Sequence, residues 1–129
     1  MTEARILIVE DDAIVAHDLK NRLTGMGYFV VFITSTGEEA VQQAGLHLPD
    51  VVLMDIHLAG KMDGITTAHQ IGEKYQIPVV YLTAYSDDET LARARETRPA
   101  GYVLKPFDPR SLYVAIEMAL YTHLRKDDA

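Results

Sequence analysis

Apolar residues in this chain gather in five short runs: Arg5 to Val9 (RILIV), Phe29 to Ile33 (FVVFI), Val51 to Met54 (VVLM), Pro78 to Leu82 (PVVYL) and Gly101 to Leu104 (GYVL). They are rich in β-branched residues and too short for helices. Most are continuous rather than alternating, the pattern of strands covered on both faces. Between them the spacing turns helical. Val15, Leu19, Leu23 and Met26 form one apolar stripe, and Gly27 follows as a C-terminal cap. Thr36 with Glu39 has capping-box spacing ahead of Ala40, Val41 and Ala44. A third helix runs from Ile65 to about Tyr75, and a fourth starts at Ser86, with Glu89 completing a second capping box. The fifth opens with Asp108 as N-cap and Pro109 at the first helical position, then carries Leu112, Ile116, Ala119 and Leu120 on one side.

Strand followed by helix, five times with short connections, predicts a doubly wound (βα)5 α/β fold: a three-layer sandwich around an open, twisted parallel sheet with right-handed crossovers. Ligands bind such sheets beyond the carboxyl ends of the strands, where strand order reverses.

Length and charge narrow the picture further. The chain has 129 residues, 48% of them hydrophobic, which suits one core and is short for two domains. A single domain over 1–129 is expected, with its core from residue 5 to 124. The net charge of -7, uninterrupted by any Lys/Arg run, opposes direct binding of nucleic acid or anionic lipid. There is no cysteine, so neither a disulfide framework nor a thiolate metal site is available. The apolar run at the N-terminus is too short for a signal peptide and no run reaches membrane-spanning length, so a cytoplasmic location is expected.

The residues just past the strands carry the chemistry. Glu10, Asp11 and Asp12 follow the first strand, Asp55 the third, Thr83 and Ala84 the fourth, and Lys105 and Pro106 the fifth. Carboxylates gathered on one edge repel one another, which calls for raised pKa values or a bound cation. An oxygen-only donor set favours magnesium over zinc. Asp55 precedes a loop with two glycines and no helical spacing, IHLAGKMDG. A carboxylate at that place can attack phosphorus to form an acyl phosphate if metal and cation spread the charge on the phosphoryl oxygens. Lys105 is positioned to supply the cation and Thr83 a hydroxyl donor, while the small Ala84 leaves room for a phosphodonor.

Each residue also has a plainer reading. Asp after a strand is commonly a turn former or helix cap, and for Asp12 capping and metal approach stay equally open. Thr83 alone is a strand end and Lys105 alone a surface charge. A lysine directly between an apolar strand and a proline, in register with acids after strands one and three, is seldom demanded by folding. A cis Lys105-Pro106 bond would aim the ammonium inward, but with only about 5% of X-Pro bonds cis, trans is the default expectation.

Taken together, ILIVEDD, VVLMDIHLAGKMDG, PVVYLTA and GYVLKPF, in that order from Arg5 to about Leu124, make the chain resemble response-regulator receiver domains of the flavodoxin-like fold. The resemblance implies strand order 2-1-3-4-5 and phosphorelay signalling. Asp55 would accept a phosphoryl group from the phosphohistidine of a sensor histidine kinase or phosphotransfer protein, with Mg2+ (or Mn2+) as cofactor. The metal would be held by Asp11 and Asp55 directly, by Glu10 through water and by the His57 carbonyl. Thr83 and Lys105 would bind phosphoryl oxygens. Thr83 and Tyr102 would form the switch acting on the surface of the fourth helix, fifth strand and fifth helix, through which receivers often pair as homodimers. Such a receiver acts on itself and is not a turnover enzyme. Read from its residues alone, Tyr102 is equally a packed aromatic.

The loop after Asp55 departs from the family, lacking its common proline and reaching Met62-Asp63-Gly64 one residue late. An altered loop is expected. His57 and Tyr85 stand where family members tune hydrolysis of the phosphoryl group, and their bulk implies a long-lived one. His17, His47, His69 and His123 show no ligand spacing and are expected at or near the surface. The final AIEMALYTHLRKDDA is similar to receivers that continue into a sensor, kinase or cyclase module. The main alternative is a small aspartyl-phosphate phosphohydrolase with His57 as proton-transfer group, although no cap segment is inserted. A docking-only pseudo-receiver and a flavin carrier are the other readings; the first leaves the intact residue set unexplained, and the second lacks a phosphate cradle after the first strand.

Overall fold

The computed structural model describes residues 3–58, 60–84 and 87–128, with side chains described to residue 122. Five strands and five helices alternate: β1 (Arg5–Val9), α1 (Ala13–Gly25), β2 (Phe29–Thr34), α2 (Gly37–His47), β3 (Val51–Asp55), α3 (Gly64–Tyr75), β4 (Val79–Thr83), α4 (Asp88–Glu96), β5 (Gly101–Leu104) and α5 (Pro109–Asp128). All strand pairs are parallel and the order is β2-β1-β3-β4-β5. The sandwich and the strand order are those the sequence predicts.

Continuous apolar strands make two cores, one on each face of the sheet. Leu7, Val9, Val52, Met54, Val79 and Tyr81 meet α2 and α3 through Ala40, Ala44, Ile65, Ala68 and Ile71. Ile6, Ile8, Val51, Leu53, Val80 and Leu82 meet α1 and α5 through Leu19, Leu23, Leu112 and Ile116. Every residue of β3 and β4 is buried, as expected for central strands covered twice.

Short polar side chains set most helix starts. Asp108 accepts from Ser111 N at 3.1 Å ahead of Pro109, and Thr36 accepts from Glu39 N at 3.2 Å. The second half of that capping box does not form: the Glu39 carboxylate accepts instead from the Thr34 hydroxyl. At α4 the prediction of Ser86 as the cap is corrected. Asp87 caps the helix, accepting from Thr90 N at 2.7 Å, its carboxylate being within reach of a free N–H of the first turn; Ser86 lies outside the described residues. In α1 the buried stripe is Ala16, Leu19 and Leu23, with Val15 half-buried at its edge. Gly27 follows the capping Met26 with φ +97°, as predicted for a C-terminal glycine.

Among the glycines, Gly64 makes the closest approach to backbone. A Cβ at this position would lie 1.9 Å from the Asp55 carbonyl oxygen and 2.9 Å from the Ile56 Cα, while the Gly64 N–H donates to the Ile56 carbonyl at 3.0 Å. The first turn of α3 is therefore seated directly on the end of β3. Gly64→Ala is expected to cost at least about 2 kcal/mol in denaturant unfolding, since backbone must move to admit the methyl group. Gly25→Ala, where nothing lies within 4 Å, is the control and should be neutral or slightly stabilising. Equal effects at the two positions would contradict the packing argument.

Candidate functional site

Strand register brings the predicted residues together. Val9 pairs with Met54, so Glu10 and Asp55, one residue on, emerge side by side. Asp55 pairs with Leu82, and Thr83 follows it; Thr83 pairs with Leu104, and Lys105 follows that. The Lys105 N–H donates to the Thr83 carbonyl at 2.8 Å and the Ile56 N–H to the Leu82 carbonyl at 3.2 Å, extending the ladder past the strand ends.

Glu10, Asp11 and Asp55 each present a carboxylate oxygen within 4.8 Å of the others. Glu10 and Asp55 are buried, 2% and 4% exposed, and Asp11 is open to solvent. Lys105 Nζ lies 2.6 Å from Glu10 Oε1 and 3.4 Å from Asp55 Oδ2. The other Asp55 oxygen accepts from the His57 N–H at 3.1 Å. Thr83 is buried at the end of the adjacent strand. One ammonium among three carboxylates leaves an excess of negative charge. Burial pushes Glu10 up to about 7, with Asp55 adding to the rise and Lys105 and the Asp12 N–H opposing it. Burial alone would lower Lys105, but its hydrogen bond to Glu10 and the charge of Asp55 more than reverse this and raise it. Clustered oxygen donors with one side open fit a hard divalent cation.

The two readings of Asp12 resolve toward capping: Oδ1 accepts from Ile14 N at 3.0 Å and Val15 N at 3.3 Å, and the Asp12 N–H steadies Glu10 Oε2 at 3.1 Å. The Lys105-Pro106 bond is cis, contrary to the default expectation. Tyr102 is 41% exposed, with its ring centroid 6.0 Å from that of Tyr81 beneath it on β4. Tyr81 is fully buried, its hydroxyl is 2.7 Å from Thr97 Oγ1, and burial pushes it up to about 12. His17, His57 and His69 are exposed and His47 is half-buried against Phe32, at 5.7 Å between centroids. Tyr85 and the side chain of His123 lie outside the described residues. A cavity of about 260 Å3 lined by Glu10, Asp11, His17, Thr34 and Glu39 borders the acids. A larger one, about 470 Å3, is lined by α3, α5 and the segments leading into β4 and β5, and includes none of them.

Sequence reasoning missed two contributions. Gly64 was read only as part of a motif, and its contact with the Asp55 carbonyl depends on a loop conformation that spacing does not encode. The direct Lys105 to Glu10 bond was likewise unexpected; the register of β1 and β5 about β3 was its only available signal.

An acid cluster with a lysine at the carboxyl edge of a flavodoxin-like 2-1-3-4-5 sheet defines a receiver-type signalling fold. The chain belongs to the response regulator receiver domain family, whose model matches residues 6–117. It is 41% identical over 116 residues to the transcriptional regulatory protein PdtaR of Mycobacterium tuberculosis, covering 90% of this chain and 56% of that protein. The chain thus spans about half the length of the curated relatives it matches. Among solved structures it is similar to the signal receiver domain of a modulated diguanylate cyclase from Desulfovibrio desulfuricans G20, with TM-score 0.93, 36% identity and coverage of 97% of this chain and 99% of that one. It is also similar to the N-terminal domain of a response regulator/sensory box/GGDEF protein from Carboxydothermus hydrogenoformans, with TM-score 0.86, 38% identity and coverage of 95% and 98%. Receiver domains of this family are in general signalling modules rather than turnover enzymes. No helix among the described residues is long and apolar enough to cross a membrane.

The elevated Glu10 carries a pH signature. The folded protein keeps this proton to about pH 7, whereas the unfolded chain releases it near 4.5. Glu10 therefore favours the folded state fully below pH 4.5, and that contribution is lost as pH rises through 7. Without divalent metal, the melting temperature is expected to fall between pH 5 and pH 8, and to fall less in Glu10→Gln, which cannot ionise. Parallel curves for the two proteins would refute the assignment.

Proposed function

We propose that the protein is the receiver of a phosphorelay, in which Asp55 takes a phosphoryl group from the phosphohistidine of a sensor histidine kinase or phosphotransfer protein. The observation that carries this reading is the convergence of Glu10, Asp11 and Asp55 within 4.8 Å, with the Lys105 ammonium against two of them. An Asp55 carboxylate oxygen attacks phosphorus; the new O–P bond forms as the P–N bond breaks and its electron pair returns to the imidazole. Lys105 meets one phosphoryl oxygen with a full charge and Thr83 another with its hydroxyl. The His57 N–H, already 3.1 Å from Asp55 Oδ1, orients the attacking group. Asp11, Asp55 and the His57 carbonyl, with Glu10 through water, would hold magnesium or manganese, which would supply positive charge to the phosphoryl oxygens.

Residues 1–129 then form one receiver domain. The product charge acts on a two-state surface. Thr83 draws toward the phosphoryl group, Tyr102 turns inward over Tyr81, and the surface of α4, β5 and α5 changes. That surface carries exposed Tyr102 and Leu104 on β5 and Val114 and Met118 on α5, an apolar patch suited to a second receiver or an output partner.

Acetyl phosphate with magnesium, followed by intact mass and peptide mapping, is expected to show a single phosphoryl adduct on Asp55, absent in Asp55→Asn. Added magnesium should raise the melting temperature, and Asp11→Asn should abolish that rise. Rapid release of phosphate from many esters with no adduct would favour a phosphohydrolase instead.

The bulk of His57 also predicts a slow loss of the phosphoryl group, because an exposed side chain two residues from the acceptor hinders water. His57→Ala, which keeps the backbone carbonyl, should shorten the half-life of phospho-Asp55; an unchanged half-life would count against shielding.

A further inference from the structure

Helix α4 is the most lightly held helix on the sheet: of its nine residues only Ala94 is buried. Among the described residues, two polar ties supplement that contact. At its C-terminal cap, Thr97 Oγ1 meets the Tyr81 hydroxyl at 2.7 Å, and Tyr81 in turn carries the ring of Tyr102. On its side, Arg93 Nη2 donates to Asp63 Oδ2 at 3.1 Å.

The second tie leads to the acceptor. Asp63 is the N-cap of α3, and its two carboxylate oxygens divide the work: Oδ1 accepts from Thr66 N at 2.8 Å, which leaves Oδ2 for Arg93. The next residue is Gly64, whose N–H holds the Ile56 carbonyl and whose Cα rests on the Asp55 carbonyl. Arg93 is thus linked to the backbone at Asp55 through Asp63 and Gly64.

We infer that Arg93 is a positioning residue for the acceptor aspartate: its pair with Asp63 holds α4 in the arrangement with Tyr102 outward and so restrains phosphoryl uptake by Asp55. The inference rests on the receiver reading. Any rearrangement that carries α4 away from α3 has to break this pair, so the pair favours the starting state, and its removal raises the population of the alternative. Both partners are half-exposed, which limits the effect to about two- to fivefold.

The test uses the whole chain with acetyl phosphate and magnesium, timing formation of the Asp55 adduct by intact mass. Arg93→Ala and Asp63→Asn, the latter retaining a competent cap, should each accelerate uptake about two- to fivefold. The double variant should be no faster than the singles, and Arg93→Lys should restore nearly the original rate. Hydrogen exchange at the Gly64 amide and along α4 should quicken in Arg93→Ala, a readout independent of phosphoryl transfer. A normal wild-type adduct with unchanged rates in the variants, or with effects that multiply in the double variant, overturns the role of Arg93 and leaves the receiver reading standing. No adduct on wild-type Asp55 overturns both.

Discussion

Glu10, Asp11 and Asp55 hold carboxylate oxygens within 4.8 Å of one another at the carboxyl edge of the sheet, and two of the three are buried. Like charges in such a setting repel strongly, because little water remains to screen them. The molecule answers in two ways: Lys105 is laid across Glu10 and Asp55, and Glu10 is displaced to about 7. Neither removes the excess negative charge. What remains is an excess of negative charge among clustered oxygen donors with one side open, a setting whose chemistry fits a hard divalent cation.

Holding such a cluster requires a scaffold that does not relax. The inner strands β3 and β4 are buried throughout, with apolar side chains filling both faces. The carboxylates and the ammonium leave from consecutive positions of a hydrogen-bonded register, so repulsion among them cannot be relieved by a local twist. Gly64 adds a further restraint from outside the sheet, since α3 begins in van der Waals contact with the Asp55 carbonyl. Against this rigid edge, α4 has one buried residue and, among the described residues, polar ties through Thr97 to Tyr81 and through Arg93 to Asp63. With so little buried surface it is the part of the fold near the acids that is held least firmly.

The chain carries this stiff acid pocket and lightly held neighbouring helix as a member of the response regulator receiver domain family. The curated relatives extend well beyond the matched region, this chain covering 56% of PdtaR, so the receiver is the part whose chemistry is legible here. In the loop after Asp55, Asp63 accepts from Arg93, and the next residue, Gly64, seats on the Asp55 carbonyl.

Much of this architecture could be read from residue order. Continuous β-branched runs identify strands that are covered twice, and Asp108 before Pro109 or Gly27 after Met26 mark helix ends through local hydrogen bonding that needs no distant partner. The candidate acids and lysine were visible because a parallel sheet sends all its strand ends one way. Local chemistry could not choose between two roles for Asp12, and capping-box spacing put the start of α4 at Ser86 where Asp87 is the cap, since each outcome turns on which free N–H lies in reach. The Lys105 to Glu10 bond, the seat of Gly64 on Asp55 and the Arg93 to Asp63 tie join residues 95, 9 and 30 positions apart. Contacts of that kind are created by register and packing, and they exist only once the chain has closed on itself.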